Sequence, residues 1–253
     1  MNERRTFRAV WLGQRPYGPL LELQEALHDA RRRGAVGDTL LFLEHSPVIT
    51  EGRGADAAHL LGSPELLAAL GVATFSTARG GDVTLHAPGQ LVAYPILSLE
   101  PDRKDVRRYV RDLTEVMRRL CAEHGISSGL LEAYVGLWAD AARPEHWDPH
   151  EAVTPVKLGA IGVKISRWVT MHGFALNLTT DLSLFGLIVP CGIREHGVAS
   201  VARLSGAAPS VRDTADRARQ AFAHVFDAAV GPLEDWTAES DHTLLTALLA
   251  PST

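Results

Sequence analysis

Short apolar segments with strand-like patterns alternate irregularly with segments of helical periodicity along the whole chain, and this order restricts the fold more than any other feature. Strands are predicted at residues 7–12, 39–43, 72–77, 91–97, 134–138, 158–163 and 168–178, and helices at residues 19–33, 64–70, 106–121, 211–230 and 242–249. Some strands follow each other directly, and others are separated by a helix. The pattern therefore predicts an α/β (α+β) fold in which helices flank a mixed sheet.

Length, charge and the size of the apolar runs set further limits. A chain of 253 residues fits one large domain, so we expect residues 1–253 to form a single domain. The longest apolar runs, such as residues 184–191, are far shorter than the roughly 18 residues of a membrane helix, and residues 9–12 are too few for a secretory signal. The net charge of −5 gives no overall positive field for nucleic acid. We expect a cytoplasmic monomer that binds neither membranes nor nucleic acid.

The two cysteines have different sequence contexts. Two cysteines without metal-ligand spacing predict reduced thiols, not a disulfide framework. Cys121 continues the apolar stripe of the predicted helix 106–121, so we expect it in the core. Cys191 lies between Pro190 and Gly192 in a predicted turn, which makes it a candidate nucleophile. The alternative is an inert core cysteine.

Lysine is rare in this chain. Of its 25 cationic residues only Lys104, Lys157 and Lys164 are lysine, and the others are arginine. Lysine can give up its proton when desolvated and arginine cannot, so Lys157, where a loop meets a predicted strand, is a candidate for proton transfer. An ammonium beside a thiol would also favour the thiolate. The alternative is a solvated surface lysine.

Two histidines are further candidates. His86 and His172 each precede a small residue, and each can serve as an acid, a base or a wall of a pocket. A Cys191/His172 dyad is therefore an alternative to the pair of Cys191 and Lys157. No third residue that would orient the histidine can be identified, and a buried histidine with one hydrogen bond is common.

Other sequence features carry less functional information. The sequence motifs of P-loop nucleotide-binding proteins, Rossmann dinucleotide-binding proteins, zincins and serine hydrolases are absent. His146 and His150 lie in a proline-rich segment without a third ligand nearby, so we expect a solvated loop and no metal site. The arginine-rich residues 101–120 favour a solvated helix face over a surface for an acidic protein partner.

Residues 79–90 contain three glycines and one proline, which predicts a loop whose backbone a small ligand can approach. Together with four other segments, this loop resembles the octanoyltransferases of lipoate biosynthesis, the lipoyl(octanoyl) transferase family. The segments are LEHSPVIT at 43–50, RGGDVTLHAPGQLVAYPI at 79–96, KLGAIG at 157–162, SRWVTMHGFALN at 166–177 and PCGI at 190–193. They occur in consistent order, and the resemblance covers about residues 5–215.

The resemblance implies a catalytic domain of the biotin/lipoate protein ligase type, with C-terminal helices at 211–249 after the motif-bearing core. It also implies transfer of octanoyl from octanoyl-acyl carrier protein to a lysine of lipoyl domains, without ATP or another cofactor. The implied acceptors are the lipoyl domains of 2-oxoacid dehydrogenase complexes and the glycine cleavage H protein.

By position, the acyl-thioester cysteine of the family falls on Cys191, and the lysine that assists it falls on Lys157. The implied substrate-binding residues are Arg79, Gly80, Gly81, Asp82, Val83, Thr84, Leu85, His86, Ala160, Ile161, Gly162, Gly173, Phe174 and Ala175. N–H groups near the glycines of residues 79–81 are candidates for an oxyanion hole. For an apolar acyl slot the candidates are Val83, Leu85, Ile161 and Phe174.

The chain departs from the family pattern in two places. Ala87 stands where the family usually has glycine, and residues 139–155 contain an insertion before Lys157, which we expect to be an exposed loop. Two other functions remain open. One is an ATP-dependent lipoate or biotin ligase of the same fold, and the other is a non-catalytic module that binds acyl carrier or lipoyl domains.

Overall fold

The computed structural model describes residues 5–193, 195–207 and 209–250, and the side chain of Cys191 lies outside the described part. Within these ranges the chain forms strands and α-helices in an irregular order. The strands are β1 (Thr6–Arg15), β2 (Asp38–His45), β3 (Val48–Glu51), β4 (Ala73–Ser76), β5 (Val83–His86), β6 (Gln90–Ile96), β7 (Gly129–Leu131), β8 (Tyr134–Asp140), β9 (Pro155–Ser166), β10 (Val169–Asn177), β11 (Gly197–Val198) and β12 (Ala229–Asp235). The helices are α1 (Tyr17–Arg32), α2 (Pro64–Ala69), α3 (Val106–Ala122), α4 (Val201–Ser205), α5 (Val211–Val225) and α6 (Asp241–Leu248).

A large mixed sheet forms the centre of the described structure. Its strand order is β12-β1-β2-β6-β10-β9-β8-β7, and β11 pairs with β9 beside this path. Strand β1 runs parallel to both of its neighbours, whereas β2, β6, β10, β9 and β8 pair antiparallel in succession. A smaller sheet of order β4-β3-β5 lies apart from this path. The predicted mixed sheet is therefore confirmed.

Helices cover both faces of the large sheet. On one face α3 and α5 bury an apolar cluster that includes Tyr109, Met117 and Phe222. On the other face α1 and α6 bury a second cluster that includes Leu27 and Leu244. This arrangement confirms the predicted flanking helices, and burial of both faces stabilises the sheet.

The sequence of helix α3 explains where the helix begins and which of its faces is buried. The Asp105 side chain accepts a hydrogen bond from the Arg108 backbone N–H at 3.0 Å, which caps the first turn. Its apolar stripe ends in Cys121, whose side chain is fully buried, and burial raises the pKa of this thiol to about 12. The prediction that Cys121 belongs to the core is confirmed, and its thiol stays protonated.

Much of the positive charge of residues 101–120, which precede and form α3, is used within the protein. Arg103 is buried, donates to the Asp112 carboxylate at 2.6 Å and lies over the Phe226 ring. Arg118 and Arg119 both pair with Glu115. These contacts leave less charge for an acidic partner than the sequence alone indicated.

The short strands β3, β7 and β11 were not predicted, and two further segments differ from the elements predicted for them. Residues 79–90 were expected to form a loop, but they contain β5, whose four residues are all buried. The predicted helix 211–230 ends at Val225, and β12 follows it. In both places the strand is formed by pairing with a strand that is distant in sequence, and local sequence does not encode that pairing.

The insertion before Lys157 is closed by one buried carboxylate. The side chain of Asp140 accepts hydrogen bonds from the backbone N–H groups of Ala142, Val153 and Thr154 at 2.9–3.0 Å. Although burial alone would raise it, these hydrogen bonds lower the pKa of Asp140 to about 2. The Ala141 N–H also donates to the Thr154 carbonyl oxygen at 2.9 Å, so the two ends of the loop meet.

In the same loop, His146 Nε2 lies 3.7 Å from a carboxylate oxygen of Glu151, and both side chains are more than half exposed. No cluster of three side chains suited to a metal ion occurs among the described residues. Among the same residues, none of the helices combines the length and the apolar character that crossing a bilayer requires.

Candidate active site

Lys157 is buried near the start of β9. Only 5% of its surface is exposed, and its Nζ lies 5.5 Å from the centroid of the Trp138 ring on β8. At the edge of β9 that does not pair with β8, the Ala199 N–H donates to the Lys157 carbonyl oxygen at 2.9 Å, where β11 pairs with β9. The alternative of a solvated surface lysine is therefore wrong.

Gly136 makes room for the Lys157 side chain. A Cβ atom at position 136 would lie 2.7 Å from Lys157 Cε and 2.5 Å from the Gly159 carbonyl oxygen. Gly136 also has a φ of +139°, which other residues rarely adopt. Sequence reasoning missed this glycine, because its role depends on a contact between two strands.

Cys191 lies in a single 3-10 turn, Pro190–Gly192, and its side chain is outside the described residues. The backbone of this turn is held by His59. The His59 carbonyl oxygen accepts a hydrogen bond from the Val189 N–H at 2.8 Å. The His59 ring lies so close to Gly192 that a Cβ atom at position 192 would be only 2.9 Å from His59 Cε1. His59 Nδ1 in turn lies 2.5 Å from a carboxylate oxygen of Asp82.

The cysteine-bearing turn and Lys157 meet at one small cavity. Pro190 and Lys157 both line it, and its volume is about 300 Å³. His172 does not line this cavity. Three of its wall residues, Thr84, Ala160 and Ala175, also line a larger cavity.

The larger cavity encloses about 480 Å³ between its walls, part of which is open to solvent. Most of the residues that the sequence assigned to substrate binding line it. These are Arg79, Gly81, Asp82, Thr84, His86, Ala160, Ile161, Gly162, Gly173, Phe174 and Ala175. Its other lining residues are Tyr17, Tyr94 and His172, which the sequence prediction of substrate-binding residues did not include.

Strand β5 presents alternate residues to two environments. Thr84 and His86 line the larger cavity. Val83 and Leu85 instead pack into a separate apolar cluster, so the structure places them away from the acyl slot for which they were candidates. Ala87 is buried in the same cluster, and its methyl group is thereby accommodated where the family usually has glycine.

The loop before β5 is fixed by backbone contacts. The Gly80 N–H donates to the Val163 carbonyl oxygen at 2.9 Å, so this group is already used and is a poor candidate for an oxyanion hole. A Cβ atom on Gly52 would lie 2.2 Å from the Gly81 carbonyl oxygen. Close backbone approach, expected from the glycines, thus occurs between two protein segments.

Arg79 places a buried positive charge beside the larger cavity. Its Nη2 donates to both the carbonyl and the hydroxyl oxygen of Thr50, the former at 2.5 Å, and its Nη1 donates to the Gly80 carbonyl oxygen at 3.2 Å. The guanidinium is therefore held rigidly by β3 and by its own loop.

A chain of hydrogen bonds leads from His86 towards Lys157. His86 Nδ1 lies 2.8 Å from Gln90 Oε1, and Gln90 Nε2 donates to Asn177 Oδ1 at 2.9 Å. Asn177 then donates to the Ala199 carbonyl oxygen at 3.0 Å, next to β11. Gln90 and Asn177 were not identified from sequence as site residues, because only the fold brings them together.

Three buried histidines lie at or near the larger cavity. Burial lowers the pKa of His45 to about 4 against the effect of its hydrogen bond to the Arg15 carbonyl oxygen. Burial, followed by the charge of nearby His45, lowers the pKa of His86 to about 3. For His172, burial followed by the charge of Arg79 lowers the pKa to about 3. All three rings are therefore neutral at pH 7.

These shifts predict that the free energy of unfolding falls when the pH is lowered from 7 to 5. In the unfolded chain each histidine has a pKa near 6.5, so the unfolded state binds more protons in this range and is favoured. We expect a loss of about 1–2 kcal/mol for each buried ring at pH 5. Urea unfolding at both pH values measures this loss. His45→Phe should make the dependence shallower, and equal stability at pH 5 and pH 7 would contradict the prediction.

Comparison with known protein families identifies related sequences. The lipoyl protein ligase A/B catalytic domain matches residues 16–223. An octanoyltransferase of Myxococcus xanthus is 45% identical over 222 residues, which are 88% of this chain and 60% of that protein. An octanoyltransferase of Solibacter usitatus is 44% identical over 216 residues, which are 85% of this chain and 91% of that protein.

Solved structures share the same fold at low sequence identity. A bipartite lipoate protein ligase of Thermoplasma acidophilum superposes with a TM-score of 0.68 at 16% identity, covering 97% of this chain and 92% of that chain. A lipoate-protein ligase A bound with ATP has a TM-score of 0.66 at 16% identity, covering 96% of this chain and 94% of that chain.

Proposed function

The chain belongs to the lipoyl protein ligase A/B family and is related to its octanoyltransferases, and from this premise we propose that it transfers an octanoyl group from octanoyl-acyl carrier protein to a target lysine. The proposed acceptors are lipoyl domains of 2-oxoacid dehydrogenase complexes and the glycine cleavage H protein. The proposed enzyme is a cytoplasmic monomer with one catalytic domain, and it needs neither metal nor ATP.

One observation carries this proposal. Buried Lys157 and the turn that bears Cys191 line the same small cavity, and that cavity shares walls with a larger cavity formed by the predicted substrate-binding residues. These contacts support a site in which Cys191 is the nucleophile, Lys157 transfers the proton and the larger cavity holds the acyl chain. This combination is what acyl transfer through an enzyme thioester requires.

In the first proposed step, the Cys191 thiol loses its proton to Lys157 and the thiolate attacks the carbonyl carbon of the donor thioester. The new C–S bond forms on Cys191, and the bond to the carrier sulfur breaks. The carrier thiolate leaves and takes up the proton that Lys157 holds. A thioester replaces a thioester, so the energies of reactant and product are similar.

In the second step, the amine of the target lysine attacks the acyl-enzyme carbonyl. The amide C–N bond forms, the C–S bond to Cys191 breaks, and the proton lost by the amine passes through Lys157 to the cysteine sulfur. The amide is more stable than the thioester, so this step drives the reaction. Lysine suits both steps because it can lose and regain a proton.

The acyl chain would occupy the larger cavity. Ile161, Phe174 and Ala175 give it apolar walls, and these residues belong to the paired strands β9 and β10, which hold the wall rigid. Burial of methylene groups against such walls contributes roughly 0.8 kcal/mol each.

Intact-mass spectrometry tests the proposal. The protein is mixed with octanoyl-acyl carrier protein without ATP, and an apo lipoyl domain is then added. We expect one octanoyl group to appear on the protein, to map to the peptide that contains Cys191, and then to move to the lysine of the lipoyl domain. Adduct on another residue would refute the assignment of Cys191.

Other outcomes identify the alternative functions. If transfer occurs only when ATP and free octanoate are supplied, the chain is an ATP-dependent ligase of the same fold. If the acyl carrier and the lipoyl domain bind without any transfer, the chain is a binding module. Either result refutes the proposed mechanism.

A further inference from the structure

Among the described residues, the ring of His172 is a buried polar group without a hydrogen-bond partner. Only 2% of its surface is exposed, and neither Nδ1 nor Nε2 has a hydrogen-bond partner within residues 5–193, 195–207 and 209–250. By contrast, the nearby rings of His45 and His86 are hydrogen-bonded to Tyr94 and Gln90. Buried polar groups are almost always paired, because an unpaired one loses the hydrogen bonds that it made to water. The ring of His172 therefore requires an explanation.

The backbone holds His172 in a strained conformation. It lies within β10 at a φ of +60°, although the pairing with β9 continues on both sides of it. Its N–H donates to Gln24 Oε1 at 3.2 Å, which fixes it against α1. A non-glycine residue in the left-handed region is strained, and such strain concentrates at ligand sites. The strain and the unpaired ring thus occur at the same residue.

His172 lies in the part of the larger cavity that is remote from Lys157. It lines the larger cavity but not the small one. The junction of the two cavities is their shared wall, which includes Ala160 and Ala175, paired across β9 and β10. His172 pairs with Val163, three residues farther along β9. At roughly 3.3 Å per residue this is about 10 Å from the junction. An acyl chain that reacts beside Lys157 would therefore point its distal carbons towards His172.

We propose that this cavity also accepts medium-chain acyl groups that carry a hydroxyl group on a carbon distant from the carbonyl, and that His172 recognises this hydroxyl. The inference rests on the proposed acyl transfer and extends its substrate class. The bonds formed and broken at the carbonyl are the same as for octanoyl.

The chemistry of the ring selects a hydroxyl over other polar groups. A neutral imidazole offers one donor and one acceptor, and a hydroxyl group can satisfy both. A plain alkyl chain satisfies neither. A carboxylate would bring a charge into a buried space, and the donors of the nearby Arg79 are already directed to Thr50 and Gly80.

The test compares acyl donors of matched size. The donors are acyl carrier proteins loaded with 7-hydroxyoctanoyl, 8-hydroxyoctanoyl, octanoyl and nonanoyl groups, and nonanoyl replaces the terminal hydroxyl by a methyl group. We expect kcat/KM for the better hydroxylated donor to exceed that for nonanoyl at least tenfold. A ratio near one in the unmodified protein overturns the inference and needs no variant.

Variants assign the preference to His172. His172→Phe should lower the ratio of hydroxylated to nonanoyl donor at least tenfold, and His172→Gln, which keeps a donor and an acceptor, should restore part of it. His28→Phe is the matched control, because His28 is also buried but bonds to the Val169 carbonyl oxygen and does not line the cavity. An unchanged ratio in His172→Phe overturns the assignment. Failure of octanoyl transfer itself would refute the proposed function, whereas octanoyl transfer without a hydroxyl preference refutes only this inference.

Discussion

Replacing Lys157 with methionine is expected to lower kcat for octanoyl transfer at least about 100-fold while the protein stays folded. Methionine fills the buried space beside Trp138 and Gly136 without a charge, so the packing around β9 should survive. What is lost is the group that takes and returns the proton. Single-turnover rates of acyl-enzyme formation and of transfer to the lipoyl domain would measure the effect on each step.

Lys157→Arg separates charge from proton transfer. Arginine keeps the positive charge but does not release its proton, so we expect a loss as large as that of Lys157→Met. If the arginine variant is nearly as active as the unmodified protein, charge alone is sufficient and the proposed role of Lys157 is wrong. Lys164→Met is the matched control, because Lys164 lies on the same strand but lines neither cavity. Cys191→Ala should form no acyl-enzyme at all.

Gly173→Ala is expected to destabilise the protein by about 3 kcal/mol and to impair acyl transfer. A Cβ atom at position 173 would lie 2.2 Å from the Ala93 carbonyl oxygen and 2.5 Å from Pro95 Cδ. The carbonyl belongs to the backbone of β6, so β10 and β6 would have to separate. Gly173 also lines the larger cavity, and the same displacement would deform its wall.

Urea unfolding together with transfer assays tests this prediction. Gly186→Ala is the control, because a Cβ atom there has no other atom within 4 Å. We expect its free energy of unfolding to stay within about 0.5 kcal/mol of the unmodified value. If Gly173→Ala is as stable and as active as the control, the close packing of β10 against β6 does not restrict position 173.

The sequence predicts best those elements whose apolar residues face one continuous core. Helix α3 is an example, because its stripe from Tyr109 to Cys121 is buried along the whole length. Strand β12 was missed because it lies at the edge of the sheet, with most residues partly or fully exposed, and contains Gly231 and Pro232. Its strand conformation results from pairing with β1, and its sequence has no alternation of apolar residues that would predict a strand.

For the candidate site, the sequence predicted the reactive residue types more fully than it predicted which residues line the cavities. Lys157 and Cys191 stood out by residue type and context, and the structure brings the lysine and the cysteine-bearing turn to one cavity. Tyr17 could not be found in this way, because it lies on α1, which is remote in sequence from the site motifs. Tyr94 lies within the motif at 79–96 but on β6, beyond the residues that were assigned to substrate binding. Val83 and Leu85 were assigned to the acyl slot since they lie within a matching motif, but strand alternation turns them towards another cluster.

The closed base of the loop that follows Asp140 makes the protein tolerant of changes in length there. Loop-closure entropy rises slowly, so doubling the length of a loop costs only about 0.6 kcal/mol. Because Asp140 binds both ends and the Ala141 N–H meets the Thr154 carbonyl oxygen, strands β8 and β9 are held together at the base of the loop, whatever the length of its exposed tip. A peptide epitope or a complete reporter domain could therefore be grafted at the tip of this loop without displacing the adjacent reaction centre.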